Sequence, residues 1–206
     1  MVQRRAHVPL WVNGCGDILM ASRRFPPDDP ERRRWQDPGR VLDTIGVTPG
    51  MTFLDVGCGE GYFALPAAHR VGASGRVCGI DADAAAVTRF RVHAADAGME
   101  WVTARQGTAE ETLLCSGCAD VVFFGICLHD FSDPGRVLSN ARRMVRRSGV
   151  LANLDWHARE MNTGPPLEKR FPPEYAMDLI RKAGFHRLSL QDCGPYHYLI
   201  LARPAP

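Results

Sequence analysis

The chain has 206 residues, 45% hydrophobic and 23% charged, with a formal net charge of +2 at pH 7. This length suits one domain with a small appendage and buries enough surface to fold without a disulfide framework or a metal staple. Charges of both signs alternate, which argues against a nucleic-acid partner, and no apolar run approaches the ~20 residues of a membrane span. The opening segment, through Val8-Pro9-Leu10-Trp11-Val12, is too short and too broken for a signal-peptide core. We therefore expect a cytoplasmic protein whose seven cysteines are thiols.

Residues 1–46 read as a helical extension. Asp29 suits a helix N-cap, Pro30 the first turn, and Glu31 to Gln36 follow. Arg32, Arg33 and Arg34 lie among Asp28, Asp29, Glu31 and Asp37 and read as a solvated helix face. Asp37-Pro38 repeats the device for Gly39 to Ile45, with Gly46 as the stop, and Thr48-Pro49-Gly50 is a turn. With Trp11, Phe25 and Trp35 this extension is positioned to act as a lid.

Residues 47–206 alternate between strand and helix patterns. Short apolar runs occur at Met51–Val56, Val77–Asp81, Trp101–Gln106, Val121–Phe124 and Val150–Asp155, each like a buried parallel strand. Helical patterns fill the gaps at Tyr62–Val71, Ala84–Ala97, Thr108–Leu114 and Pro134–Arg147. After a further helix at Pro173–Ala183 come strand candidates Arg187–Gln191 and Tyr196–Ala202, separated only by Asp192-Cys193-Gly194-Pro195. So short a connection forces an antiparallel hairpin. The expected fold is α/β: a doubly wound, mostly parallel seven-stranded sheet ending in an antiparallel hairpin. Cys115-Ser-Gly-Cys118 has no second ligand pair, so no metal is expected there.

The chemistry concentrates in Leu54-Asp55-Val56-Gly57-Cys58-Gly59-Glu60-Gly61-Tyr62-Phe63, between the first strand and the first helix of this sheet. Tyr62 stands where a dinucleotide fingerprint wants its third glycine. Asp55 would repel a phosphate but suits an amine or a sulfonium. Asp81 ends the second strand, 20 residues after Gly61, where a carboxylate can hold both ribose hydroxyls. Together they describe a ligand with ribose and positive charge but no pyrophosphate.

These residues and the terminal hairpin resemble the class I S-adenosylmethionine-dependent methyltransferases over roughly residues 38–203. Leu128-His129-Asp130-Phe131, Gly149, Asp155-Trp156 and Gly164-Pro165-Pro166 resemble a group of small bacterial and archaeal members whose substrates are mostly unassigned. The resemblance implies S-adenosylmethionine as cofactor, with Gly57, Cys58, Gly59 and Tyr62 lining its methionine half and ribose. It also implies that Asp55 supports the glycine loop and the amine, Asp81 and Ala82 take the ribose, Thr108 and Ala109 the adenine, and Gly125 and Ile126 the methionine end. Thr108, where many members have Asp, reads equally as a plain helix cap.

Methyl transfer can run largely on positioning, so no catalytic triad is required. His129 and Asp130, past the fourth strand beside Cys127, are the catalytic candidates, His129 as a base or as a structural histidine. Tyr196 and His197 fit core or surface roles better. The acceptor is expected to be a small molecule of unassigned identity. A non-catalytic cofactor-binding relative and, further off, an NAD-dependent oxidoreductase are the alternatives.

Overall fold

The computed structural model describes residues 30–206, so the proposed cap Asp29 and the aromatic residues Trp11 and Phe25 lie outside the described residues. Two short helices come first, α1 (Pro30–Trp35) and α2 (Pro38–Ile45). Asp37 caps α2 by accepting from the Gly39 amide at 2.8 Å, and Gly46 closes it in the left-handed conformation.

The sheet then follows with β1 (Thr52–Val56), α3 (Ala64–Val71), β2 (Arg76–Asp81), α4 (Ala84–Asp96), β3 (Val102–Gln106) and β4 (Ala119–Gly125). It continues with α5 (Pro134–Met144), β5 (Val145–Trp156), α6 (Pro173–Lys182), β6 (Phe185–Cys193) and β7 (His197–Pro204). The spatial order is β3-β2-β1-β4-β5-β7-β6, parallel except for β7, which runs antiparallel to both neighbours. Winding reverses between β1 and β4, which opens a crevice above their carboxyl ends.

The apolar strand runs are buried on both faces. Phe53, Phe123 and Leu154 pack with α2, α3 and α4, while Leu54, Phe124 and Leu151, on the other face, pack with α5 and α6. Each such side chain contributes roughly 1.5–3 kcal/mol on burial.

Four expectations need correction. Thr108–Leu114 is not a helix but a single turn closed by the Thr112 amide on the Thr108 carbonyl at 3.0 Å. Asn140 of α5 captures the Ala109 and Glu110 carbonyls, both at 2.9 Å, so a tertiary contact replaces helix propagation. The helix expected to reach Arg147 stops at Met144, because Val145 pairs with Ala119 and Arg146 with the Asp120 carboxylate. Arg32 leaves the solvated face its neighbours occupy and is buried, its guanidinium 3.5 Å from the Tyr62 ring centroid. Finally, Cys115 and Cys118 form a disulfide and not two thiols. The loop turns at Gly117, whose amide bonds the Arg143 carbonyl at 2.8 Å, and this holds the two Cα atoms 6.0 Å apart.

Candidate active site

A cleft of about 1650 Å³ lies over the carboxyl ends of β1, β2, β4 and β5. The turn after β1 forms its floor. Gly57, Gly59 and Gly61 have φ of 78°, 52° and 93°, a region that suits glycine. A Cβ at Gly57 would lie 2.8 Å from the Cys127 sulfur and one at Gly61 would lie 2.5 Å from Phe90, whereas one at Gly59 would meet nothing within 4 Å. Packing thus excludes side chains at the outer glycines, and backbone conformation alone selects the middle one.

Asp81 ties this turn to β2. Its Oδ2 accepts from the Gly59 amide at 2.8 Å and its Oδ1 from the Asp83 amide at 2.9 Å. Asp83, and not Asp81, is the N-cap of α4. Asp55 is 2% exposed, and burial, reinforced by the charge of Asp81, pushes its pKa up to about 8 against a hydrogen bond from the Ala64 amide. Two carboxyl groups facing one cleft favour a cationic ligand, which stabilises their ionised forms.

Asp55, Gly57, Cys58, Gly59, Tyr62, Asp81, Ala82, Thr108, Ala109, Gly125 and Ile126 all border this single cleft. Tyr62 is anchored by donating its hydroxyl to the Gln36 carbonyl. Ile126 holds a left-handed φ of 57°, with its amide donating to the Leu154 carbonyl at 2.7 Å. A non-glycine residue in that conformation is costly unless its surroundings impose it, which here places strain at the cleft wall.

His129 and Asp130 sit in a 3₁₀ turn, Leu128–Asp130, beyond β4. His129 Nδ1 lies 2.6 Å from Asp155 Oδ1 and Nε2 lies 3.5 Å from Asp130 Oδ2, with the imidazole 3% exposed. Asp155 is fully buried on β5, and its Oδ1 also accepts from the Trp156 amide at 2.8 Å. Burial works against the His129 cation, but the Asp155 hydrogen bond and the charges of Asp155 and Asp130 outweigh it and raise its pKa above 6.5, while Lys169 pulls the other way. The neutral ring, with Nδ1–H donated to Asp155, leaves Nε2 as an acceptor beside the cleft.

Cys127 carries no thiolate. Its thiol donates to the Val56 carbonyl at 3.0 Å, and burial, with the surrounding carboxylates, raises its pKa well above the usual value. Tyr196 and His197 do not border the cleft. His197 is fully buried and stacks on Trp35 at 5.5 Å between centroids. Among the described residues no cluster of three His, Cys, Asp or Glu side chains could hold a metal.

The far wall held more than the motifs indicated. Trp156, Arg32 and the segment 159–167 border the cleft, with Lys169 and Arg170 closing it. Buried Arg170 donates to the carbonyls of Pro165 at 2.8 Å, Arg159 at 2.8 Å and Thr163 at 2.9 Å, cross-bracing the segment. Asp155 and Trp156 stood within the quoted resemblance but without a role. For Arg170 the sequence offered no signal, because its partners are main-chain carbonyls.

A family model described as a methyltransferase domain matches residues 47–179. The chain belongs to this methyltransferase family. It is a class I S-adenosylmethionine-dependent member, which sets aside the nicotinamide alternative. It is 36% identical over 110 residues to a nocamycin O-methyltransferase of Saccharothrix syringae, across 53% of this chain and 39% of that protein. It is 30% identical over 131 residues to a 2-phytyl-1,4-naphthoquinone methyltransferase of Trichormus variabilis, across 62% of this chain and 55% of that one. The chain thus spans about half the length, or less, of these curated relatives. A methyltransferase structure from Aquifex aeolicus, described as S-adenosylmethionine-dependent, superposes with a TM-score of 0.82 at 27% identity, covering 88% of this chain and all of that one. The [4+2]-cyclase SpnF shares the fold at TM-score 0.71 and 18% identity, covering 82% of this chain and 80% of that one.

The cleft fits the family's cofactor. Its glycine turn leaves open space at Gly59, and Asp81 is presented on two backbone amides. Asp55 supplies a buried carboxyl that a cation would help to ionise.

Proposed function

We propose that this protein transfers the methyl group of S-adenosylmethionine to a hydroxyl oxygen of a small-molecule acceptor, with His129 as general base and Asp155 as its positioning residue. The carrying observation is the 2.6 Å contact between His129 Nδ1 and Asp155 Oδ1, which leaves Nε2 beside Asp130, both residues bordering the cleft. The bound cofactor supplies an electrophilic methyl on a positively charged sulfur. On this reading Asp55 and the Gly57–Gly61 turn hold the amino-acid end, Asp81 the ribose, and Thr108 with Ala109 the adenine. His129 Nε2 takes the hydroxyl proton while Asp155 fixes the tautomer and stabilises the imidazolium. Asp130, beside Nε2, adds to that stabilisation.

Residues 1–46 act in this proposal as a lid, supported by Arg32 of α1 at the cleft and by Trp35 packed 5.8 Å from Trp156. A cytoplasmic setting belongs to the same proposal, in which Cys58, Cys78, Cys127 and Cys193 are thiols and the Cys115–Cys118 disulfide is the exception. No described helix is long and apolar enough to cross a membrane. A small-molecule acceptor and the lack of a nucleic-acid partner are likewise proposed, from the single cleft over the sheet and the mixed surface charge.

The test is release of S-adenosylhomocysteine from the full chain with a panel of phenols and hydroxy acids. His129→Gln is expected to lower kcat by ~10²–10⁴-fold while S-adenosylhomocysteine still raises Tm. In the parent, kcat/KM should rise with pH through a pKa above 6.5, since the base works only when neutral. Full turnover by the variant would exclude His129 as base, and a parent inert with every acceptor would favour the non-catalytic alternative.

A further inference from the structure

Charge is sorted along the cleft. Asp55, Glu60, Asp81, Asp83 and Glu110 border the part built by β1, β2 and β3, where Arg32 of α1, stacked on the Tyr62 ring, is the lining cation. Three cations, Arg159, Lys169 and Arg170, border the wall that follows β5. The acceptor must lie on that second side, because His129 and Trp156 do.

These cations differ in how far they are committed. Arg170 is spent on main-chain carbonyls. Arg159 gives one nitrogen to the Pro195 carbonyl at 2.7 Å and keeps the rest of its fork. Lys169 ends a 3₁₀ turn, Leu167–Lys169, and its charge is felt at His129. Among the described residues neither Arg159 nor Lys169 forms an ion pair, although Glu160 and Asp130 border the same wall. Asp130 is directed to His129 instead. The same wall is apolar at Pro165, Pro166 and Leu167, which border the cleft above the buried Trp156. Apolar surface beside two cations that make no ion pair suits a ring that carries a negative charge.

We infer that the acceptor is a hydroxylated aromatic acid, its ring on the Pro165–Pro166–Leu167 wall and its carboxylate held by Lys169 and Arg159. This rests on the hydroxyl-methylation reading above and adds the recognition of an anion. Lys169 and Arg159 then determine specificity, while His129 handles the proton.

The test titrates the full chain, saturated with S-adenosylhomocysteine, with hydroxybenzoates and the matching neutral hydroxybenzamides, following tryptophan fluorescence. The acids should bind about tenfold tighter than the amides, the size of a hydrogen bond to a charged group. Lys169→Met should abolish that preference, and added salt should shrink it. Amides binding as tightly as acids, or neither series binding, would overturn the inference. His129→Gln separates the two readings. Lost turnover with the acid preference intact supports both, whereas intact turnover with the preference intact removes only the base. Lost turnover in a protein without the preference removes only the anion.

Discussion

Asp55 carries the sharpest consequence of a single side chain. Its carboxyl is buried beside Asp81, and a pKa of about 8 leaves it mostly protonated at neutral pH in the empty cleft. A bound cation reverses that balance by favouring the carboxylate, so binding releases a proton. Affinity for S-adenosylhomocysteine should therefore climb as pH rises toward about 8 and flatten above it. Asp55→Asn should remove that slope, and calorimetry in buffers of different ionisation heat should count up to one proton released by the parent and fewer by the variant. Asp55, the three glycines and Asp81 were legible in the sequence because one βα turn and the next strand end carry them at short spacing. Asp155 was not read as the partner of His129. The two are 26 residues apart and meet only because β4 and β5 pair in parallel.

At the level of helices and loops, what the sequence conveyed depended on who satisfies the backbone. Helix α2 was readable because its cap and its glycine stop are both local. The turn at Thr108 was misread as a helix because Asn140, on a distant helix, takes the carbonyls that a helix would use. Arg32 was misread because three arginines in a row look solvated, while the helix rotates one of them onto Tyr62. The lid proposal belongs here. Helix α1 and Gln36 support the cleft through the Arg32–Tyr62 contact and the Gln36 carbonyl. Deleting residues 1–36 should weaken hydroxybenzoate binding by about tenfold or more, while S-adenosylhomocysteine still raises Tm. Unchanged binding and turnover in the truncated protein would rule out a lid.

For the molecule as a whole, acid stability turns on His197. Burial, aided by the charges of Arg32, His157 and Arg170, lowers its pKa to about 3 in the folded protein, against about 6.5 when unfolded. Between those values the unfolded chain binds a proton that the folded one does not, so stability falls as pH drops from about 6.5 toward 3. Denaturant unfolding at neutral and mildly acid pH should show this loss, and His197→Phe should flatten it; an equally steep acid limb in the variant would place the cause elsewhere. The winding of strands and helices, the glycine turn, the carboxylate that ends β2 and the closing hairpin were already present in spacing and composition, because each arises between residues close in the chain. The His129–Asp155 pair, the turn fixed by Asn140 and the Arg32–Tyr62 contact came only with the packed fold. Each depends on segments that the chain separates and that burial of the two sheet faces brings together.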